Sequence, residues 1–258
     1  MVNEQVNSIS YKLRLFGVQT NFERRAEQAL NQQMHPLEFL HLILEDEALF
    51  RKERAGKVLL TKAKFRTQSE IEDWDSTYDR GISAQKLRDL ASFAFLDGKQ
   101  NLLILGRTGE GKTHLAVALG RRLCRENRSV TFLPVNFLFE EVMAAKTAGK
   151  YLFYIKKINK SDLIILDDFG LRNYTHEEAT VLVDILEDRV GRGPVIVTSQ
   201  VEPPGWLKLF EDPVIAEAIV DRLLNPSQKI TLRGGSYREK LTPSLPTQKK
   251  LAAKEALR

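Results

Sequence analysis

The segment Gly106-Arg107-Thr108-Gly109-Glu110-Gly111-Lys112-Thr113 matches G-x-x-x-x-G-K-[ST] without a gap. Each residue type has a chemical reason to be there. The glycines let successive backbone N–H groups turn inward and ring an anion. Lys112 adds a mobile charge for the outer phosphates of a nucleotide, and the Thr113 hydroxyl suits Mg²⁺. A helix beginning near Lys112 would aim its positive dipole end at the same anion. With His114 these eight positions form the candidate nucleotide-binding set, and the implied ligands are ATP and Mg²⁺. A glycine-rich turn without function is the competing reading, and the apolar strand before the loop and the helix after it argue against that.

A second cluster lies at 163–168, where Leu163, Ile164, Ile165 and Leu166 deliver Asp167 and Asp168. Four apolar residues make a buried strand, and its C-terminal end is where ligands sit in open α/β sheets. Asp167 is the candidate Mg²⁺ ligand, and Asp168 the candidate general base that polarises the attacking water. Thr198-Ser199-Gln200 follows another apolar run. A polar side chain there can lie between the two earlier strand ends, where it can touch the γ-phosphate or the water. Arg222 ends a helical stretch, where a basic residue is stabilising whatever its function.

These groups need a frame to bring them together. Strand-like runs at Asn101–Leu105, 130–135, 163–166 and 195–198 alternate with helical stretches at 112–126, 136–160, 176–190 and Pro213–Leu224. The stretch 136–160 reads as two short helices broken at Gly149. Such alternation predicts an α/β fold, a parallel sheet covered by helices on both faces. Phe93, Phe95 and Leu96, just before the first strand, are candidate walls for the adenine. Residues 1–66 read as a small helical domain. Pro36 suits a first helical turn, and Leu40, Ile43, Leu44 and Ala48 recur at helical spacing. Residues 67–85 are a polar connector that packs back through Trp74 and Tyr78. The ATPase domain is expected at 86–241, with a loose basic tail at 242–258.

The chain has 258 residues, a net charge of +5, 43% hydrophobic and 28% charged residues, and a mean hydropathy of -0.28. It can bury a core, and no run approaches the roughly 20 apolar residues of a membrane span. The polar N-terminus is not a secretory signal. The lone Cys124 predicts an inert core thiol, and the absence of a possible internal disulfide suits a reducing, cytoplasmic setting. The basic balance favours an anionic partner. Arg51, Lys52, Arg54, Lys57, Lys62, Lys64 and Arg66 face only Glu53 in residues 51–66. DNA binding and a solvated helical face are both open for that run.

The core resembles the ATPases of the AAA+ superfamily. Within it, the chain resembles the IstB-like group, the helper ATPases of insertion-sequence transposition, which are close to the DnaC helicase loaders. The resemblance is carried by GRTGEGKTHLAVALG (106–120), LIILDDFG (163–170), VIVTSQ (195–200), DPVIAEAIVDRLL (212–224), GGSYR (234–238) and EFLHLILEDEALFRKER (38–54). It implies a sensor role for Gln200, with Ser199 second, and a weaker second-sensor role for Arg238. It implies that Arg222 is an arginine finger acting on ATP held by a neighbouring subunit. It implies, too, that the insertion at 136–160 faces nucleic acid, with Lys146, Lys150, Lys156, Lys157 and Lys160 upon it. Asp168 stands where the superfamily usually has Glu, so turnover is expected to be slow without DNA or a partner.

The expected function is an ATP-dependent transposition helper. It would self-assemble on duplex DNA, prepare or deform the target site, and recruit a transposase encoded by the same element. Its contacts would be mainly to phosphates. A helicase loader preferring single strands is the alternative. A small-molecule kinase is disfavoured, because the sequence has no arginine-rich lid over the phosphates. A nucleotide-gated clamp without useful turnover stays open through Asp168.

Overall fold

The computed structural model describes residues 2–75 and 79–235. Tyr78, Arg238 and the basic tail therefore lie outside the described residues. Three helices open the chain: α1 (Val2–Lys12), α2 (Phe16–Asn31) and α3 (Pro36–Ala63). Pro36 stands in the first turn of α3, and the His35 side chain caps that helix by accepting from Leu37 N at 3.2 Å. α2 and α3 pack closely. A Cβ on Gly17 would lie 2.6 Å from the Asp46 carbonyl oxygen, so only glycine fits.

Polar groups, not leucines, hold the first half of α3. The Glu47 carboxylate accepts from Gly17 N and Val18 N at 2.7 and 3.2 Å and so caps α2. Arg25 meets both Asp46 oxygens at 2.8 Å, and its guanidinium holds the Asp46 carboxyl below the usual range. Ile43 is buried with these acids, whereas Leu40, Leu44 and Ala48 face outward. The helical spacing is real, but the acids bury one edge of the apolar stripe and leave the rest exposed.

The chain continues through α4 (Ala84–Ala91), α5 (Ala94–Asp97), β1 (Asn101–Leu105), α6 (Lys112–Arg125), β2 (Val130–Pro134), α7 (Val135–Thr147), α8 (Tyr151–Asn159), β3 (Leu163–Phe169) and α9 (His176–Arg189). It ends in β4 (Val195–Ser199), α10 (Pro203–Trp206), a 3₁₀ turn (Leu207–Leu209), α11 (Pro213–Leu224) and β5 (Ser227–Thr231). The sheet order is β2-β3-β4-β1-β5, and all pairings are parallel. One apolar layer joins α7, α8, α9 and α11 to one face of the sheet. The other joins α4, α5 and α6 to the opposite face, together with Leu59, Leu60 and Ala63 from the end of α3. Helix α3 thus starts in the helical region and ends on the ATPase core.

β5 was not evident in the sequence. It reads Ser-Gln-Lys-Ile-Thr and buries only Ile230, as an edge strand with one covered face can. Its register with β1, from Asn101↔Ser227 to Leu105↔Thr231, supplies the pairing that its composition does not advertise. Cys124 is fully buried, and burial pushes its thiol up to about 11, which makes it the inert core residue expected. Among the described residues, no helix is long and apolar enough to cross a membrane.

Candidate functional site

The phosphate loop joins β1 to α6. Gly106, Gly109 and Gly111 all have positive φ, at 150°, 86° and 96°. Gly106 is doubly constrained: a Cβ there would stand 2.4 Å from a Glu110 carboxylate oxygen. That carboxylate is buried under the loop and accepts from Arg107 N at 2.5 Å. Glu110 therefore braces the loop from beneath, and only its backbone is left for phosphate contact. The Arg107 side chain is exposed.

Lys112 is buried, and its Nζ donates to the Arg107 carbonyl at 2.8 Å. Thr113 Oγ1 donates to Asp167, 2.9 Å from Oδ1 and 3.2 Å from Oδ2. The two residues named as metal ligands are thus in direct contact, although 54 positions apart. Burial pushes the Asp167 carboxyl up from its ordinary value, and the neighbouring Asp168 charge adds to this. Hydrogen bonds from Thr198 and Thr113 oppose it.

Thr198 has a larger role than the sequence suggested. Its hydroxyl donates to Asp167 Oδ1 at 2.6 Å and accepts from Asp168 N at 2.9 Å. The β3–β4 register breaks here, passing from Leu166↔Val197 to Phe169↔Ser199. The bulge puts Asp168 at φ 59°. That left-handed conformation is strained for a residue with a Cβ, and the Thr198 bond offsets the strain. The bulge turns the half-buried Asp168 side chain into the cavity. Gln200 accepts from Thr108 Oγ1 at 2.8 Å, which ties it to the phosphate loop. Ser199 instead donates to the Phe169 carbonyl at 2.7 Å, so its hydroxyl is spent on backbone.

These groups border a cavity of about 480 Å³. Its other walls come from Arg66 at the end of the helical region, from Thr67, Ser69 and Arg80 of the connector, and from His114 of α6. Trp74 lies behind them, stacked under the Arg80 guanidinium at 4.2 Å and 5.9 Å from the His114 ring. Burial, reinforced by Arg80, lowers the His114 pKa, so the imidazole is neutral at pH 7. Phe93, Phe95 and Leu96, the candidate adenine walls, pack in the core layer, with Phe93 against Phe95, and none of them borders this cavity. Two aromatics that close to β1 are drawn into the sheet packing. The connector borders the cavity instead, and its advance signal was an aromatic in a polar stretch.

Arg222 lies elsewhere. It ends α11, donates to the Ala218 carbonyl at 2.9 Å and pairs with Glu187. Its own carbonyl accepts from Asn101 Nδ2 at 2.8 Å. Asn101 begins β1 and the phosphate loop follows its end, so the two sites are separated by about 16 Å of strand. Arg222 is thus placed away from its own nucleotide site. All the lysines named as DNA contacts, Lys57, Lys62, Lys64, Lys146, Lys150, Lys156 and Lys157, are exposed. The fold brings two segments together: Lys62 and Lys64 of the α3 end, and Lys157 and Lys160 of the α8 end, rim one cavity of about 590 Å³ beside β2.

The donors at the phosphate loop fit Mg²⁺. The ion prefers hard oxygen ligands, takes one or two from protein, and fills the rest with water and phosphate. Thr113 and Asp167 offer that number. Among the described residues there is no cluster of three or more His, Cys, Asp or Glu that could hold a metal without a nucleotide.

Residues 9–244 match the family described as IstB-like ATP binding protein. An insertion-sequence ATP-binding protein of Mycobacterium tuberculosis is 34% identical over 236 residues, covering 91% of this chain and 94% of that one. The ATP-binding protein of insertion sequence IS21 from Pseudomonas aeruginosa is 32% identical over 229 residues, covering 89% and 86%. Among solved structures, DnaI superposes with a TM-score of 0.57 at 22% identity, covering 69% of this chain and 94% of that one. The DnaC helicase loader gives 0.52 at 17% identity, covering 66% and 100%. Both likenesses speak to the fold.

Proposed function

The chain belongs to the IstB-like ATP-binding family, and we propose that it is the ATP-dependent helper of an insertion sequence, assembling on duplex DNA and recruiting a separate transposase. The observation that carries this reading is a family match over 9–244 in a chain whose phosphate loop, Asp167 and Asp168 meet in one cavity.

The residues divide the work. Backbone N–H groups of Gly106 to Lys112 would ring the phosphates, and Lys112 would exchange the Arg107 carbonyl for a phosphate oxygen. Thr113 and Asp167 would hold Mg²⁺, which when bound neutralises charge developing on the β- and γ-phosphates. Asp168 would accept the proton of the attacking water. Thr198 fixes the Asp167 carboxylate and the Asp168 backbone amide, and Gln200 reads the state of the loop through Thr108. His114, Arg80 and Ser69 would border the nucleoside. Arg222 faces away from its own site, so it would serve ATP bound by a neighbouring subunit, once freed from Glu187. Nucleotide shared across a border makes assembly depend on ATP. The rim of Lys62, Lys64, Lys157 and Lys160 would run along phosphates.

The test uses the full chain with a non-hydrolysable ATP analogue and equal lengths of duplex and single-stranded DNA. Sedimentation should show large assemblies on duplex only, and only with the analogue. A preference for single strands would replace this reading with that of a helicase loader.

A further inference from the structure

α8 buries Ile155 and Ile158 and turns Leu152, Phe153, Lys156 and Lys157 outward. Leu152 and Phe153 are 70% and 69% exposed. Residues four apart share a helix face, so Leu152 stands in line with Lys156, Phe153 with Lys157, and Lys160 continues the row. One turn, about 5.4 Å, separates the apolar pair from the lysines. Lys146 and Lys150 lie just before the pair, and residues 142–160 contain no acid.

The pair is also held firmly. Tyr151 donates its hydroxyl to Asp184, and Tyr154 donates to Glu141 at 2.6 Å. Both fasten the helix from the protein side. Ahead of it, Gly149 turns the chain at φ 65° with open space around it. The result is a rigid projection: two large apolar side chains in a field of positive charge.

Exposed apolar groups of this size mark a contact surface. A protein partner would call for a wider apolar patch, whereas here every charged neighbour on the segment is basic. Duplex DNA answers both features. It presents phosphates at about 3.4 Å intervals along each strand, and between them lie base steps into which apolar side chains can insert, unstacking the bases and kinking the helix.

We propose that Leu152 and Phe153 form a wedge that enters one base step of duplex DNA, with Lys150, Lys156 and Lys157 holding the phosphates beside it. This rests on the reading that the protein binds duplex DNA, and it adds how the target is deformed. It also gives a rule for target choice. Pyrimidine–purine steps unstack most easily, so TA and CA steps should be favoured without any hydrogen bond to a base edge.

The experiment uses the full chain, a non-hydrolysable ATP analogue, and duplexes carrying 2-aminopurine at a central TA step and dyes at both ends. Parent protein should raise 2-aminopurine emission and bring the ends closer. The double variant Leu152→Ser, Phe153→Ser should lose both signals. Its affinity should stay within about threefold of the parent, because the lost insertion and the avoided unstacking oppose each other. Phe153→Trp should keep the signals. Lys156→Gln with Lys157→Gln should instead weaken binding and lower the salt slope by about 2. Signals that persist in the double variant would overturn the wedge. So would a double variant that falls apart into smaller particles without DNA, since the pair would then join copies of the chain. Parent protein that binds duplex without unstacking it removes the wedge alone. Parent protein that does not bind duplex removes the underlying reading as well.

Discussion

At the N-terminal ends of β3 and β4, Arg189 is 3% exposed, and its guanidinium donates to the carbonyls of Asn159, Ser161, Asp162, Gly193 and Pro194. At the C-terminal ends of the same strands, Asp167 is 1% exposed and receives two threonine hydroxyls. Both are charges taken out of water. Arg189 uses its donors on backbone carbonyls of the chain itself, which no ligand would claim, so the arrangement is permanent. Burial pushes its guanidinium down to about 10, still charged at neutral pH. On the proposed reading, Lys112 would trade the Arg107 carbonyl for a phosphate and the Thr113–Asp167 contact would open to a metal, so these bonds would be exchangeable. On that reading, one end of the sheet is built to stay closed and the other would be opened by ligand.

The largest effect expected from this contrast is on Arg189. Arg189→Met would strip the guanidinium donors from five carbonyls at the two strand starts and cost about 3–5 kcal/mol of stability. Thermal or urea unfolding measures it directly. A loss below about 1 kcal/mol would mean that water replaces the guanidinium and that the permanent end is no more permanent than the other.

At the exchangeable end the loss should appear in binding and spare the fold. Lys112→Ala removes a buried cation from a phosphate site, which costs about 2–5 kcal/mol, or thirtyfold and more in ATP affinity. Its unfolding midpoint without nucleotide should stay close to the parent's. Calorimetric titration alongside unfolding separates the two. A destabilised apo protein would break the comparison, because Lys112 would then be holding the loop together as Arg189 holds the strands.

Thr198→Val makes the finest distinction. It keeps shape but removes the hydroxyl that bonds Asp167 and the Asp168 amide. A hydrogen bond to a charged group contributes about 1.5–3 kcal/mol, so turnover should fall about tenfold or more while ATP affinity changes little. Single-turnover hydrolysis against equilibrium nucleotide binding checks this. Equal losses in both would make Thr198 a binding group and not a positioning residue for Asp168.

The legible part of the site was the part encoded contiguously. The loop 106–113 and the pair Asp167-Asp168 were readable because neighbours in sequence share one turn or one strand end. Four strands were readable for a related reason: their apolar runs are buried on both faces, as parallel strands between two helical layers must be. β5 was not, because an edge strand with one covered residue carries no such run. Phe93 and Phe95 misled, since aromaticity indicates burial without saying whether the burial is in core or against a ligand.

Sequence by itself determined the phosphate loop, the acidic strand end, the alternation that makes the sheet parallel and the family. Each is a local pattern whose physics, namely backbone angles, helix dipole and side-chain periodicity, acts over a few residues. Only the tertiary structure decided that Thr198 bridges the Asp167 carboxylate and the Asp168 amide, that the connector with Arg80 walls the cavity and Trp74 stands behind it, and that Arg222 sits at the far end of β1. It alone brought Lys62 and Lys64 beside Lys157 and Lys160. Those relations depend on the strand order β2-β3-β4-β1-β5 and on one bulge at Asp168. Strand order is set by how the whole chain buries its apolar faces, so no short stretch of sequence carries it.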